Sequence, residues 1–173
     1  MMGNQTDATL YIAVTGLALS VVSLTWQVVQ HVLSGSRIKA FLKGGSLGPG
    51  GAVTGEVAKV NLAALAREGF AQPVLALEAV NVGRLPVNVT GWGIDFDGEF
   101  SFQQTNFSPN PSLPYRLEPG ASVTFYCLLD DAIRGQSAFR AAVKSTLRDR
   151  VRGKVSLATG KTIYSNWTPR LPS

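Results

Sequence analysis

The stretch that decides the fold runs from Pro73 to Gln103, PVLALEAVNVGRLPVNVTGWGIDFDGEFSFQ. Two apolar runs, 73–81 and 87–96, stand on either side of Val82-Gly83-Arg84-Leu85-Pro86. Branched apolar side chains favour a pleated strand, and Gly with Pro punctuates it. Pro86 has no N–H to give a sheet, so it marks a break between two strands. Gly91 and Gly93 lie inside the second run at positions suited to a bulge. Asp97-Gly98 predicts a tight hairpin, with 99–103 pairing back.

The reading extends outward from there. Residues 37–42 (RIKAFL) alternate and predict a first strand. Residues 44–51 (GGSLGPGG) predict a flexible loop, and 61–70 (NLAALAREGF) a short helix ended by Gly69. Tyr115 to Leu117 lead into the turn Glu118-Pro119-Gly120, then into a strand over 122–129 (SVTFYCLL). Asp131 is expected to cap a helix running to about Arg148. Residues 152–157 and 161–165 predict a last hairpin around Thr159-Gly160. Short strands between Gly/Pro turns make a mainly β domain, a β-sandwich carrying one or two short helices.

Composition bounds the rest. The chain has 173 residues, 45% hydrophobic and 16% charged, which excludes a disordered or low-complexity chain. One Cys and one His exclude a disulfide framework and a Cys/His metal cluster. The net charge of +5 leaves room for an acidic partner. That charge is unevenly placed: from Ala8 to Ser36 there is no Asp, Glu, Lys or Arg.

Within that gap lies LYIAVTGLALSVVSLTWQVVQHVL, residues 10–33. As a helix it is about 36 Å long, enough to cross a hydrocarbon core of about 30 Å. Tyr11 and Trp26 lie toward its ends, where amphipathic rings are favoured. A transmembrane helix is the favoured reading. A cleaved signal peptide needs a basic start, whereas residues 1–7 hold Asp7 and no Lys or Arg. A buried helix of a soluble protein is the third reading, kept open by Gln27, Gln30 and His31. Arg37, Lys39 and Lys43 follow the helix and no Lys or Arg precedes it, so the positive-inside rule puts the N-terminus outside and the C-terminal domain in the cytoplasm. The lone Cys127 agrees with a reducing compartment. The N-x-S/T matches at Asn4, Asn88, Asn106 and Asn166 are at chance level.

The span has an internal seam. Alternating steps of four and three give Thr9, Ala13, Gly16, Ser20, Ser23, Gln27, Gln30 and Ser34, all small or polar. A 3.5-residue repeat keeps one face against a neighbouring helix, and small residues let backbones approach in lipid. Gly16, Ser20, Ser23, Gln27 and Gln30 are therefore the candidate helix–helix interface, for self-association or for docking onto another membrane protein.

Three runs carry a resemblance: WQVVQHVLSGSRIKAF (26–41), NVGRLPVNVTGWGI (81–94) and LPYRLEPGASVTFY (113–126). Together they resemble small uncharacterised membrane-anchored proteins of actinobacteria. The turns Asn81-Val82-Gly83-Arg84-Leu85-Pro86-Val87 and Leu117-Glu118-Pro119-Gly120 also resemble those of immunoglobulin-like sandwich modules. The resemblance implies an immunoglobulin-like β-sandwich and carries no catalytic residue with it.

Gly160-Lys161-Thr162 lacks the Gly that a phosphate loop needs at position 155, which is Val, and a strand follows it instead of a helix. Asp95, Asp97 and Glu99 are spaced for a hard cation, but Gly98 turns the chain between them, so a solvated hairpin tip is expected. His31 reads as an interfacial residue and Cys127 as a buried structural thiol. No catalytic, cofactor-binding or metal-ligating residue is assigned.

The strongest surface feature is basic. Arg140, Lys144 and Arg148 recur every four residues, with Phe139, Val143 and Leu147 one position earlier as the packing stripe. Seven basic residues against Asp149 alone leave 134–154 at net +6. Arg140, Lys144, Arg148, Arg150 and Arg152 are the expected basic surface, read first as an ordinary solvated face and next as a contact for anionic headgroups of membrane lipid or an acidic protein; nucleic acid is disfavoured.

The expected organisation is a tail over 1–9, a transmembrane helix over 10–33, a juxtamembrane strand (37–42) and Gly-rich loop within 34–51, and the remainder of the sandwich over 52–173. With no longer linker than that loop, the domain should sit close to the bilayer. The expected function is protein interaction or assembly at the cytoplasmic membrane face, without catalysis and without a cofactor. Two alternatives stay open: a membrane-tethered enzyme whose site forms only in three dimensions, and a secreted or surface binding domain left after signal cleavage.

Overall fold

Two antiparallel sheets follow an N-terminal helix in a mainly β chain. The computed structural model describes residues 3–33, 37–104, 107–143 and 150–168, with side chains of 3–9 and 31–33 left aside. The elements in order are α1 (Gly3–Leu33), β1 (Ile38–Gly48), β2 (Gly51–Glu56), α2 (Leu62–Arg67), β3 (Gln72–Asn81), β4 (Val87–Phe96), β5 (Phe100–Phe102), β6 (Tyr115–Leu117), β7 (Ser122–Leu128), α3 (Leu129–Val143), β8 (Val151–Leu157) and β9 (Thr162–Tyr164). The chain divides into two units, 1–35 and 36–173.

The first sheet has the order β2-β1-β3-β7, the second β5-β4-β8-β9 with β6 also paired to β4. The chain crosses between the sheets after β3, after β6 and after β7, and one apolar core lies between them. Leu75, Leu77, Ala79, Phe125 and Cys127 come to it from the first sheet, and Val89, Trp92, Ile94, Val155 and Leu157 from the second. Trp92 stacks on Phe125 across this core, ring centroids 5.4 Å apart. The alternation in β7 buries Val123, Phe125 and Cys127, as the period of two requires.

The turn chemistry is specific. Asn81 is fully buried and joins two turns: its Nδ2 donates to the carbonyls of Leu85 (2.9 Å) and Leu117 (3.1 Å), and its Oδ1 accepts from Gly83 N–H. Asp97 and Gly98 both take positive φ, 53° and 83°, in the β4–β5 connection. The register of β4 against β8 shifts between Val89 and Gly91, so the irregularity falls at Thr90, beside the first of the two glycines where a bulge was expected.

Three local expectations need correction. The loop over 44–51 is mostly strand: β1 continues to Gly48 and returns as β2. A Cβ on Gly45 would lie 2.1 Å from the carbonyl oxygen of Val53, so glycine there permits close approach of two strands. Leu129 opens α3 where the strand was expected to continue, and Asp131 sits inside the first turn with Asp130. These carboxylates meet the positive end of the helix dipole. Of the packing stripe on α3, Phe139 stacks on Phe100 at 4.8 Å, whereas Val143 is 56% exposed; Leu147 lies outside the described residues. The helix packs instead through Leu129, Ala132 and Gln136.

α1 is the other unit. Its window Leu10–Gln30 has mean hydropathy 1.8 and no buried residue, and it is long and apolar enough to cross a membrane.

Candidate functional site

Asp95 near the end of β4 and Asp97 just past it face Arg152 at the start of β8 and Arg150 just before it: the β4–β8 register sets Asp95 opposite Arg152, and Asp97 N–H donates to Arg150 O. Arg152 Nε donates to Asp95 Oδ2 at 2.7 Å, and Arg150 Nε donates to Asp97. Asp95 is only 5% exposed, so this pair is held largely out of water. The solvated hairpin tip expected from sequence is thus, at Asp95, a buried ion pair.

Aromatic rings extend the ladder. After β9 the chain runs back along β8: Ser165 N–H donates to Gly153 O, Gly153 N–H to Ser165 Oγ, and Thr168 bridges Val151. Trp167 is thereby set over both guanidinium groups, 4.4 Å from Arg150 and 4.2 Å from Arg152, while Tyr164 lies 3.9 Å from Arg152. Each such contact adds about 0.5–2 kcal/mol, more where water is excluded.

Tyr164 and Trp167 also border a cleft of about 540 Å³, lined by residues 38–42, 56–58 and 163–168. It opens along the first half of β1, which pairs β3 from Ile38 onward but β2 only from Lys43. Among the described residues nothing pairs the other edge of β1 between Ile38 and Leu42. Val82 N–H donates to Arg37 O, so the alternation turns the backbone groups of Ile38, Ala40 and Leu42 toward that open edge. The outer edge of β7 is closed differently. Asn110 donates to Tyr126 O (2.8 Å) and accepts from Tyr126 N–H (2.6 Å), and Gln104 accepts from Leu128 N–H. A second cleft of about 440 Å³, lined by Arg37, Ile38, Lys39, Val82, Leu157, Thr159, Lys161 and Ile163, adjoins the start of β1.

The expected basic surface is divided by this geometry. Arg150 and Arg152 are ion-paired, Arg134 pairs with Asp131, and Arg140 is half-buried on α3. Lys144 and Arg148 lie outside the described residues. The carboxylates that neutralise Arg150 and Arg152 come from β4, more than fifty residues earlier in the chain.

Gly16, Ser20, Ser23, Gln27 and Gln30, the candidate helix interface, are exposed on α1, as are all residues from Leu10 to Gln30. Ser20 Oγ donates to Gly16 O at 2.8 Å, and Thr15 and Thr25 bond Tyr11 O and Val21 O in the same way. At Ser20 the seam therefore offers small volume and acceptor lone pairs, the hydroxyl proton being used within the helix. The side chains of His31 and Asn4, and all of Asn106, lie outside the described residues.

Cys127 is buried in the core, and its thiol is pushed up to about 12, first by burial and then by the Asp131 carboxylate. A neutral buried thiol is a poor nucleophile. The unfolded chain loses this proton near pH 9 and the folded chain near 12, so between those values the folded state binds more protons. Stability should therefore fall as pH rises through that window, by about 1 kcal/mol per unit from this group. Cys127→Ala should remove that share of the alkaline slope in denaturant titrations. A slope identical to that of the native chain would contradict it. Among the described residues no group of three or more His, Cys, Asp or Glu is placed to hold a metal ion. No protein-family model matches the chain, and no curated protein matches it.

Proposed function

We propose that this protein is a single-pass membrane protein whose immunoglobulin-like β-sandwich acts in interaction and assembly at the cytoplasmic face. The observation that carries the reading is α1: twenty-one residues from Leu10 to Gln30, of mean hydropathy 1.8, with no charged residue and without one buried side chain. A helix of that character needs lipid around it. The basic flank Arg37, Lys39 and Lys43, with none before the span, supports an outside N-terminus.

Strand order supports the immunoglobulin-like assignment. β1-β3-β7 corresponds to A-B-E, and β4-β8-β9 to C-F-G, with α3 lying between E and F. Trp92 holds the place of the buried tryptophan on strand C and packs across the core on Phe125 of strand E. The resemblance to small actinobacterial membrane-anchored proteins agrees with this architecture. For the domain, the open edge of β1 beside the cleft provides backbone groups for an added strand, a recurrent mode of peptide recognition.

Assembly is assigned to the seam Gly16, Ser20, Ser23, Gln27 and Gln30. Replacing Ser20 and Ser23 by Leu should weaken self-association of the full chain roughly tenfold, measured by cross-linking in detergent across a dilution series. Undiminished association of the double variant would reject the seam.

A further inference from the structure

We infer that the end of the β domain where the chain enters it binds anionic phospholipid headgroups of the membrane in which α1 is anchored; the inference rests on the anchored reading above. Three turns and the start of β1 meet at that end. Val82 N–H donates to Arg37 O, Gly120 N–H to Asn81 O, and Ala158 N–H to Asn88 O. The cleft of about 440 Å³ there has Arg37, Lys39 and Lys161 on its lining and no carboxylate.

None of these three cations has an ion-pair partner among the described residues. Lys43, Lys59, Arg116, Arg134, Arg150 and Arg152 each have one. Uncompensated cations therefore lie together at this end, with Arg67 and Lys154 also lacking an ion pair among the described residues, whereas Arg150 and Arg152 of the expected basic surface are neutralised. Arg84 adds a fourth cation on the adjoining turn, flanked by Val82 and Leu85, which are 49% and 52% exposed.

Those two apolar side chains stand on a turn fixed by the three hydrogen bonds of Asn81, so their exposure is built into the fold. Cations beside exposed aliphatic groups match the boundary between headgroups and acyl chains. A free phosphate would satisfy the cations and leave Val82 and Leu85 in water, so the lipid is the better fit. The covalent tether agrees, because Arg37 lies four residues after Leu33, about 14 Å at full extension.

The test uses the full chain in lipid nanodiscs, with a spin label on Ala158→Cys and, separately, on Gly50→Cys in the turn at the far end of β1. Buried Cys127 is left unlabelled under native conditions. In discs containing phosphatidylserine, the label at 158 should be several-fold less accessible to a water-soluble nickel relaxant than in pure phosphatidylcholine, and the label at 50 unchanged. High salt should abolish the difference, as should Gln at positions 37, 39, 84 and 161 together. Inorganic phosphate added to phosphatidylcholine discs should give no protection. Equal accessibility in both lipids, with the protein inserted, overturns the inference and leaves the anchor standing. Protection by inorganic phosphate alone overturns it in favour of a soluble anion. A chain that enters neither disc overturns the anchored reading and this inference together.

Discussion

Arg152→Ala is expected to destabilise the β domain by about 3–5 kcal/mol, the cost of leaving a buried carboxylate without its partner. Asp95 is 5% exposed and lies opposite Arg152 in the β4–β8 ladder, with the Nε–Oδ2 bond at 2.7 Å. The same guanidinium lies against Tyr164 and Trp167, so its loss also frees the return segment after β9. Thermal unfolding of the full chain in detergent should shift down by roughly 10–20 °C. Adding Asp95→Asn should restore much of the loss, since a neutral amide is cheaper to bury than an unpaired carboxylate. Lys at position 152 keeps the charge but loses the planar stack, and should fall between the two. A shift of only a degree or two for Arg152→Ala would mean that the pair behaves as an exposed salt bridge, and the ladder would then carry little of the domain's stability.

The contrast between this ladder and the strands around it shows what local sequence can convey. β3, β4, the turn at Asp97-Gly98 and the last hairpin were legible because their signals are local: branched apolar runs, a proline break, a glycine at positive φ. β2 was not, because glycine-rich sequence reads as flexible even where glycine is needed for strand contact at Gly45. The candidate site was legible only in pieces. Arg150 and Arg152 read as a free basic surface because Asp95 and Asp97 are brought to them by register. Matching two-residue spacings of opposite charge, Asp95/Asp97 and Arg150/Arg152, are the signal that would have indicated cross-strand pairing. Arg37, Arg84 and Lys161 belong to three separate turns or strand ends, so no window of sequence contains the charged end they form. Cys127, by contrast, was readable as buried from the alternation of β7 alone.

The second large effect concerns the membrane itself. A dozen large apolar side chains between Leu10 and Val29 are exposed on α1. Each Val or Leu removed from water contributes about 1.5–3 kcal/mol. Their sum far exceeds what a surface-bound helix or a single lipid chain provides, so partition into the bilayer should be nearly complete and resistant to salt and alkali. On the proposed topology, basic residues only after the span would leave the domain inside the cell. The most direct measurement is alkaline carbonate extraction of membranes from cells expressing the chain with a C-terminal tag, with protease added to sealed cells in parallel. The account predicts that the full chain stays with the lipid pellet and that the tag is cut only after the cells are opened. Intact, monomeric chain in the supernatant without detergent would contradict it.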